Sequence, residues 1–121
     1  VGALLYPPDD ARCVTGVLFF NNVGVLGMCG HGAIGVVETL RFLGRCPAGE
    51  LRLETPVGVV TATSHADGRV SIGNVRSHRM ARDVPVTLHD GRTYGGDVAY
   101  GGNYFYLVRD GARPTLELAN V

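Results

Sequence analysis

The segment that most constrains the fold is residues 28–35, Met-Cys-Gly-His-Gly-Ala-Ile-Gly, here called the cysteine segment. It leads directly into an apolar stretch that continues to Leu43 and is followed by Gly44 and Arg45. A glycine just past the last helical residue and a nearby cation are typical of a helix C-terminus. The pattern therefore predicts one helix over about residues 32–44, with the thiol of Cys29 at its first turn.

This helix is apolar on most of its surface, since only Glu38, Arg41 and Arg45 form a charged stripe. A helix of that kind is expected to be enclosed by other elements. The consecutive β-branched residues Val36 and Val37 lower its intrinsic propensity, so packing must stabilise it.

Most of the remaining chain has the pattern of short strands joined by tight turns. Asp-Gly pairs at 67–68 and 90–91 predict two hairpin turns, whereas residues 1–12 are predicted to be irregular. Strands are predicted at residues 14–20, 51–55, 57–64, 69–75, 83–89, 92–100 and 104–108. The predicted fold is α+β, a β-barrel-like antiparallel or mixed sheet wrapped around one central helix.

Composition limits the class of protein. The 121 residues are expected to form one domain. Because 11 basic residues balance 11 acidic ones, nucleic acid and membrane surfaces are not expected partners. Three irregularly spaced cysteines, Cys13, Cys29 and Cys46, argue against a disulfide framework or a structural zinc site and favour a cytoplasmic location.

Cys29 is the residue most suited to chemistry. At a helix N-terminus, unpaired N–H groups and the positive end of the helix dipole stabilise a thiolate. The N–H groups of Gly30 and His31 could bind a carboxylate, and the His31 ring could bond to the thiol. Cys29 would then act as base, acid or nucleophile on a small anion. An inert buried cysteine in a turn of small residues fits the pattern equally well.

Other polar residues have less specific patterns. His65, His78 and His89 lack the spacing of metal ligands, so no metal site is expected. Arg76, Arg79 and Arg82 are predicted to lie in a basic loop between hairpins, and a turn is predicted at Asp97.

The cysteine segment resembles the thiol motif of the proline racemase family, which includes 4-hydroxyproline 2-epimerases and trans-3-hydroxyproline dehydratases. Further blocks resemble family blocks in the same order, at residues 16–22, 54–58, 74–75 and 96–105. The resemblance covers nearly the whole chain and is closest to the 4-hydroxyproline 2-epimerases.

The resemblance implies a diaminopimelate-epimerase-like fold of two similar halves, each a sheet around a central helix, with the active site between them. A cysteine from each half works on opposite faces of the substrate Cα, and no cofactor takes part. By this likeness Cys29 is one catalytic residue, Gly30 and His31 bind the substrate carboxylate, and the substrate is hydroxyproline or proline.

The chain also departs from the family pattern. The block that carries the second cysteine, Asp-x-Ser-Pro-Cys-Gly-Thr-Gly-Thr, is absent from residues 1–121. Cys13 and Cys46 lack a glycine-rich helix start. The chain is therefore expected to be an internal part of the N-terminal catalytic half, to be inactive alone, and to pack on a C-terminal half or self-associate.

Three alternatives remain open from the sequence. One is a trans-3-hydroxyproline dehydratase half, and another is a non-catalytic interaction module of the same fold. The third is a hydrolase with Cys29 as nucleophile and His31 as base. For that alternative the separation of only two residues is expected to give poor geometry.

Overall fold

A computed structural model describes residues 1–46 and 49–108 of the chain. In these residues one helix accompanies short strands, which confirms the predicted α+β class. The elements are β1 Gly2–Tyr6, β2 Thr15–Phe20, β3 Val25–Leu26, α1 Gly30–Phe42, β4 Gly49–Thr55, β5 Gly58–Ser64, β6 Val70–Gly73, β7 His78–Thr87, β8 Thr93–Tyr100 and β9 Tyr104–Val108. No helix within the described ranges has the length and hydropathy of a membrane span.

The chain separates into two compact units. The first comprises Val1–Arg76 together with the turn Gly101–Asn103, and the second comprises Ser77–Tyr100 and the described residues from Tyr104 onward. The prediction of a single domain over residues 1–121 stays a prediction.

The first unit contains a six-stranded mixed sheet in the order β1-β2-β4-β5-β6, with β3 paired to β2. Strands β2 and β4 run parallel, with Thr15 opposite Leu53, and the other pairs are antiparallel. Helix α1 connects β3 to β4 and carries the chain back to the end of the sheet at which β2 begins. Strand β4 therefore starts at that end and runs parallel to β2. The predicted mixed sheet is confirmed.

Helix α1 lies in the curve of this sheet. Its Cα atoms come within 8 Å of those in β1, β5 and β6, although β1 and β6 are the two ends of the sheet. Four strand spacings in a flat sheet would separate those ends by about 19 Å. The sheet therefore curves around α1, as predicted, and encloses a core that includes Val17, Phe19, Val37, Leu40 and Leu53.

The ends of α1 follow from local sequence. The helix begins at Gly30, two residues earlier than predicted, because Cys29 is its extended N-cap residue. At the other end the Gly44 N–H donates to the Arg41 carbonyl at 3.0 Å, and the Arg45 N–H donates to the Leu40 carbonyl at 2.8 Å. These two bonds form a Schellman motif, and Gly44 occupies its predicted position.

The prediction that α1 is enclosed on most of its surface is wrong for the described chain. Its buried residues, Ala33, Val36, Val37 and Leu40, lie on one face. Phe42 is 89% exposed, and Ile34 is also exposed. The curved sheet covers only the face that meets it, and apolar composition does not specify which face that is.

The prediction that residues 1–12 are irregular is also wrong. Residues Gly2–Tyr6 form β1, which pairs antiparallel with β2 from Gly2 opposite Phe20 to Tyr6 opposite Gly16. A Cβ at Gly16 would collide with the Tyr6 ring. Strand β1 thus depends on the glycine in β2 that leaves space for the Tyr6 ring. The sequence of residues 1–12 does not reveal that partner.

The second unit is an antiparallel three-stranded sheet in the order β7-β8-β9. Arg76 lies in the loop between β6 and β7, as predicted, whereas Arg79 and Arg82 lie within β7. The predicted turn at Asp97 is wrong, because Asp97 lies within β8. The Asp97 carboxylate accepts bonds from the Arg79 guanidinium at 2.9 Å and from the Asp83 N–H at 3.1 Å. These long-range bonds cross an irregularity in the register of β7 and β8.

Both predicted Asp-Gly hairpin turns are present. Gly68 has φ +86° and Gly91 has φ +82°, a left-handed conformation that glycine adopts without strain. Each turn joins neighbouring antiparallel strands, β5 with β6 and β7 with β8.

Candidate active site

Cys29 is the N-cap residue of α1, with φ −139° and ψ 107°. Its carbonyl accepts the first helical hydrogen bond, from the Ala33 N–H at 2.8 Å. The side chain is 8% exposed and makes no capping hydrogen bond. Cys29 therefore occupies the N-terminal end of α1, which is the positive end of the helix dipole.

The His31 ring lies beside this thiol. Its Nδ1 atom is 3.6 Å and its Nε2 atom 3.9 Å from Cys29 Sγ, within the range of a sulfur hydrogen bond. The expectation that two residues of separation give poor geometry is therefore wrong, because the N-cap residue and the second helical residue project to the same end of α1. His31 is exposed, so its ring is also in contact with solvent.

The backbone of the first turn is accessible from outside. An α-helix leaves its first N–H groups without partners inside the helix, and here these include Gly30 and His31. A Cβ at Gly30 would meet no atom within 4 Å. Open space and outward N–H groups at a helix start suit a small anion such as a carboxylate.

Gly32 has a different role from Gly30. A Cβ at Gly32 would lie 2.9 Å from two ring carbons of Phe19 and 3.1 Å from Cys29 Sγ. The missing Cβ thus lets the helix start pack directly on the fully buried Phe19 ring. The thiol consequently lies on a rigid apolar base on its inner side and beside the accessible amides on its outer side.

The other two cysteines have a different environment. Cys13 and Cys46 are both buried, and burial raises the pKa of each thiol above its ordinary value. Neither belongs to a helix start. Loss of solvation disfavours their thiolates, so they lack the features that make Cys29 a candidate base.

Histidines outside the site have local partners. His65 Nε2 lies 2.9 Å from Ser71 Oγ, and the His78 ring lies 5.4 Å from the Tyr100 ring between centroids. Residues 1–46 and 49–108 contain no group of three or more histidine, cysteine or acidic side chains that could hold a metal ion.

Two pockets of the first unit lie away from Cys29. One, of about 350 Å³, is lined by residues that include Tyr6, Pro8 and Arg45. The other, of about 230 Å³, lies between β1 and α1. Gly35 of the cysteine segment lines the second pocket, whereas Cys29, Gly30 and His31 line neither of the two.

One residue of this region, Asn103, was not predicted from the sequence. Its side-chain Oδ1 accepts a hydrogen bond from the Gly27 N–H at 3.0 Å, and its Nδ2 donates to the Met28 carbonyl. Both bonds join positions more than 70 residues apart in the chain. The Gly101-Gly102-Asn103 break was recognisable as a turn, but its partner was not.

Comparisons with known proteins agree with the residue pattern. A family model described as proline racemase matches residues 1–120. A 4-hydroxyproline 2-epimerase of Xanthomonas campestris pv. campestris is 57% identical over 108 residues, which are 89% of this chain and 35% of that relative. A 4-hydroxyproline 2-epimerase of Chromohalobacter salexigens is 50% identical over all 121 residues, 39% of its own length. The chain thus spans about a third of the relatives it matches.

Solved structures support the fold. A hydroxyproline epimerase from Agrobacterium vitis with bound trans-4-hydroxy-L-proline matches 88% of this chain and 33% of its own, with a TM-score of 0.79 and 26% identity. A probable proline racemase from Agrobacterium radiobacter, with bound carbonate, matches 88% of this chain and 34% of its own, with a TM-score of 0.80 and 26% identity. The predicted fold class, a diaminopimelate-epimerase-like half, agrees with both.

Proposed function

Because this chain belongs to the proline racemase family, we propose that it supplies the N-terminal, thiol-bearing part of a cofactor-independent amino-acid epimerase. The substrate would be 4-hydroxyproline or proline, and the reaction would invert the configuration at Cα. One observation carries the proposal, namely that Cys29 caps the N-terminus of α1 beside the first-turn amides.

In this reaction the Cys29 thiolate acts as a base toward one face of the substrate. The Cα–H bond breaks, an S–H bond forms, and the electron pair of the broken bond moves into the substrate carboxylate. Reprotonation from the opposite face completes the inversion. The His31 ring, 3.6 Å from the sulfur, can hydrogen-bond to the thiol and orient it.

The developing negative charge is the main barrier to this proton transfer. Backbone N–H groups of Gly30 and His31 would bind the substrate carboxylate and stabilise the charge as it forms. The open space above Gly30 leaves room for that carboxylate. The thiol would supply the base on one face of the substrate, and the amides would stabilise the negative charge. The proposal therefore includes no cofactor.

The substrate class is proposed from the relatives. The Xanthomonas and Chromohalobacter relatives are called 4-hydroxyproline 2-epimerases, and the Agrobacterium vitis structure holds trans-4-hydroxy-L-proline. We infer the same type of substrate for this chain because it is 57% and 50% identical to those two relatives and shares the fold of that structure.

The opposite face needs a second acid or base. Cys13 and Cys46 lie away from any helix start, and burial raises the pKa of both thiols. We therefore propose that the second group comes from a C-terminal half, or from another copy, that packs against this chain. Alone, the 121-residue chain is expected to show no epimerase activity. The odd number and irregular spacing of the cysteines support a cytoplasmic location as part of the proposal.

A chimera tests the proposal directly. This chain would replace the matched segment of the Xanthomonas relative, and conversion of trans-4-hydroxy-L-proline would be followed by chiral chromatography. We expect an active chimera in which Cys29→Ser lowers kcat by about 10²–10⁴-fold, the usual contribution of a positioned acid or base. Cys13→Ser, as the matched control, should leave kcat unchanged.

The outcomes separate the alternatives. Loss of water from trans-3-hydroxy-L-proline, instead of epimerisation, would indicate a dehydratase. A folded chimera that is inactive toward both substrates, while the parent enzyme is active, would refute the proposal. Activity that survives Cys29→Ser would refute the role of the thiol.

A further inference from the structure

The turn Gly101–Asn103, between β8 and β9, reaches the backbone immediately before the catalytic candidate. Asn103 Oδ1 accepts from the Gly27 N–H at 3.0 Å, and Asn103 Nδ2 donates to the carbonyl of Met28. That carbonyl belongs to the peptide bond between Met28 and Cys29. A single side-chain amide therefore bonds to two successive residues of the backbone through its acceptor and its donor.

This pairing matters because the His31 ring is in contact with the thiol but does not set where the Cys29 backbone lies. The thiol makes no capping bond to α1, so its position follows from the backbone on either side. On the helical side, the Cys29 carbonyl accepts from the Ala33 N–H at 2.8 Å. On the preceding side, the Asn103 amide holds the peptide plane from which Cys29 extends.

The turn that presents Asn103 is itself well determined. The Gly101 N–H donates to the Asn103 carbonyl at 2.9 Å, and Asn74 Nδ2 donates to the Gly101 carbonyl at 2.9 Å. Gly102 has φ +93°, and a Cβ there would lie 2.5 Å from Met28 Cβ. Glycine thus allows the turn to approach Met28 closely enough for the Asn103 amide to reach both partners.

We propose that Asn103 is a positioning residue for the Cys29 thiol. Its amide orients the Met28–Cys29 peptide and so sets the direction in which the Cys29 side chain leaves the backbone at the start of α1. Its value to the reaction rests on the proposed function of Cys29, but its effect on the thiol can be measured without any substrate.

The proposed role of Asn103 requires both its Oδ1 acceptor and its Nδ2 donor. Alanine at position 103 removes the acceptor for Gly27 and the donor for Met28. Aspartate keeps the acceptor, but it places a carboxylate oxygen against the Met28 carbonyl and so cannot replace the donor. Asn103→Asp is therefore expected to resemble Asn103→Ala at neutral pH.

The first experiment follows alkylation of the 121-residue chain by iodoacetamide, with each cysteine quantified by peptide mass spectrometry. The measured quantity is the ratio of the Cys29 rate to the Cys13 rate. General loosening of the structure raises both rates, whereas loss of the helix-start environment slows Cys29 alone. We expect Asn103→Ala and Asn103→Asp to lower this ratio about tenfold, because the reactivity of a cysteine depends on the groups around its sulfur.

Thr15→Val is the matched control. The Thr15 hydroxyl lies near two backbone carbonyls, Tyr6 at 3.1 Å and Gly16 at 2.9 Å, and the residue is buried. Its loss weakens the first unit without touching residues 27–29, so the alkylation ratio should stay at the wild-type value. A ratio that is unchanged or raised in both Asn103 variants would overturn the proposal, as would an equal fall in Thr15→Val.

The chimera provides a second readout. A misplaced base slows proton transfer, whereas the substrate carboxylate still meets the amides of α1. We expect Asn103→Ala to lower kcat by about 10–100-fold with little change in KM. An altered KM at unchanged kcat would contradict positioning. The alkylation ratio remains a separate test, since it is measured whether or not the wild-type chimera epimerises hydroxyproline.

Discussion

Every residue of the buried apolar core belongs to the first unit, from Val17 in β2 to Ala62 in β5. In the described part of the second unit, Gly96 is the one buried residue, and Phe105 and Leu107 are at least half exposed. The first unit is therefore stabilised mainly by burial, whereas the second is stabilised by its strand ladder and polar bonds. The candidate catalytic thiol lies in the unit that has the core, where its backbone can be held rigidly.

The two units nevertheless share a local motif. In three turns an aspartate accepts from the backbone N–H and the guanidinium of the arginine two residues later. The pairs are Asp10 with Arg12 and Asp67 with Arg69 in the first unit, and Asp90 with Arg92 in the second. The difference between the units thus lies in long-range packing and not in turn chemistry.

The largest expected effect tests the core itself. Phe19 is fully buried, so Phe19→Ala should lower the free energy of unfolding by about 3–5 kcal/mol. Phe105→Ala is the matched change in the second unit, where the side chain is 50% exposed, and it should cost less than about 1 kcal/mol. Urea unfolding followed by circular dichroism measures both. Equal losses of unfolding free energy in the two variants would contradict the difference in stabilisation between the two units.

A smaller effect on stability is expected from substitutions at the start of α1. Gly32→Ala places a methyl group 2.9 Å from the Phe19 ring and should destabilise the chain by about 1–3 kcal/mol through overpacking. Gly35→Ala, three residues later, meets open space and should stabilise the helix by up to about 1 kcal/mol. Thermal unfolding of both variants provides the test. The same sign for both would mean that the core does not extend to the cysteine segment.

The smallest effect concerns the shared turn motif. The Arg12 hydrogen bond lowers the pKa of Asp10 to about 2, and the Arg92 hydrogen bond lowers the pKa of Asp90 below its ordinary value. A carboxyl whose pKa is lowered by folding contributes stability above its unfolded-state pKa and loses it as the pH falls. Both pairs are exposed, so solvent screening keeps this contribution small.

Asp10→Asn and Asp90→Asn should therefore lower the melting temperature slightly at neutral pH. The difference from wild type should diminish as the pH falls from about 4 toward the Asp10 pKa of about 2. Melting curves across this pH range measure the effect in each unit. A difference that grows on acidification would contradict the assigned direction.

Features that depend on neighbouring residues were predictable from the sequence. The Asp-Gly turns and the Gly44 end of α1 needed only residues close to them in the chain. The start of α1 was predicted to within two residues, and the candidate site at Cys29, Gly30 and His31 followed from glycines and a thiol before an apolar stretch. The roles of those three residues stay predictions until the chimera is assayed.

Features that depend on distant partners were not predictable. Strand β1 requires the glycine at position 16 of β2 to admit Tyr6, and Asp97 is part of a strand because its backbone lies opposite Leu107 of β9. The exposed face of α1, with Ile34 and Phe42, was misjudged because composition does not reveal which face the sheet covers.

The sequence by itself determined that a thiol stands at the start of an apolar helix, because glycine spacing and helix-end signals act over a few residues. The position of that thiol depends on tertiary contacts. Phe19 supports it from β2 through the missing Cβ of Gly32, and Asn103 binds the preceding backbone from a turn about 75 residues away. These contacts join residues that are far apart in the sequence, so a local sequence pattern does not predict them. They form only when the chain folds.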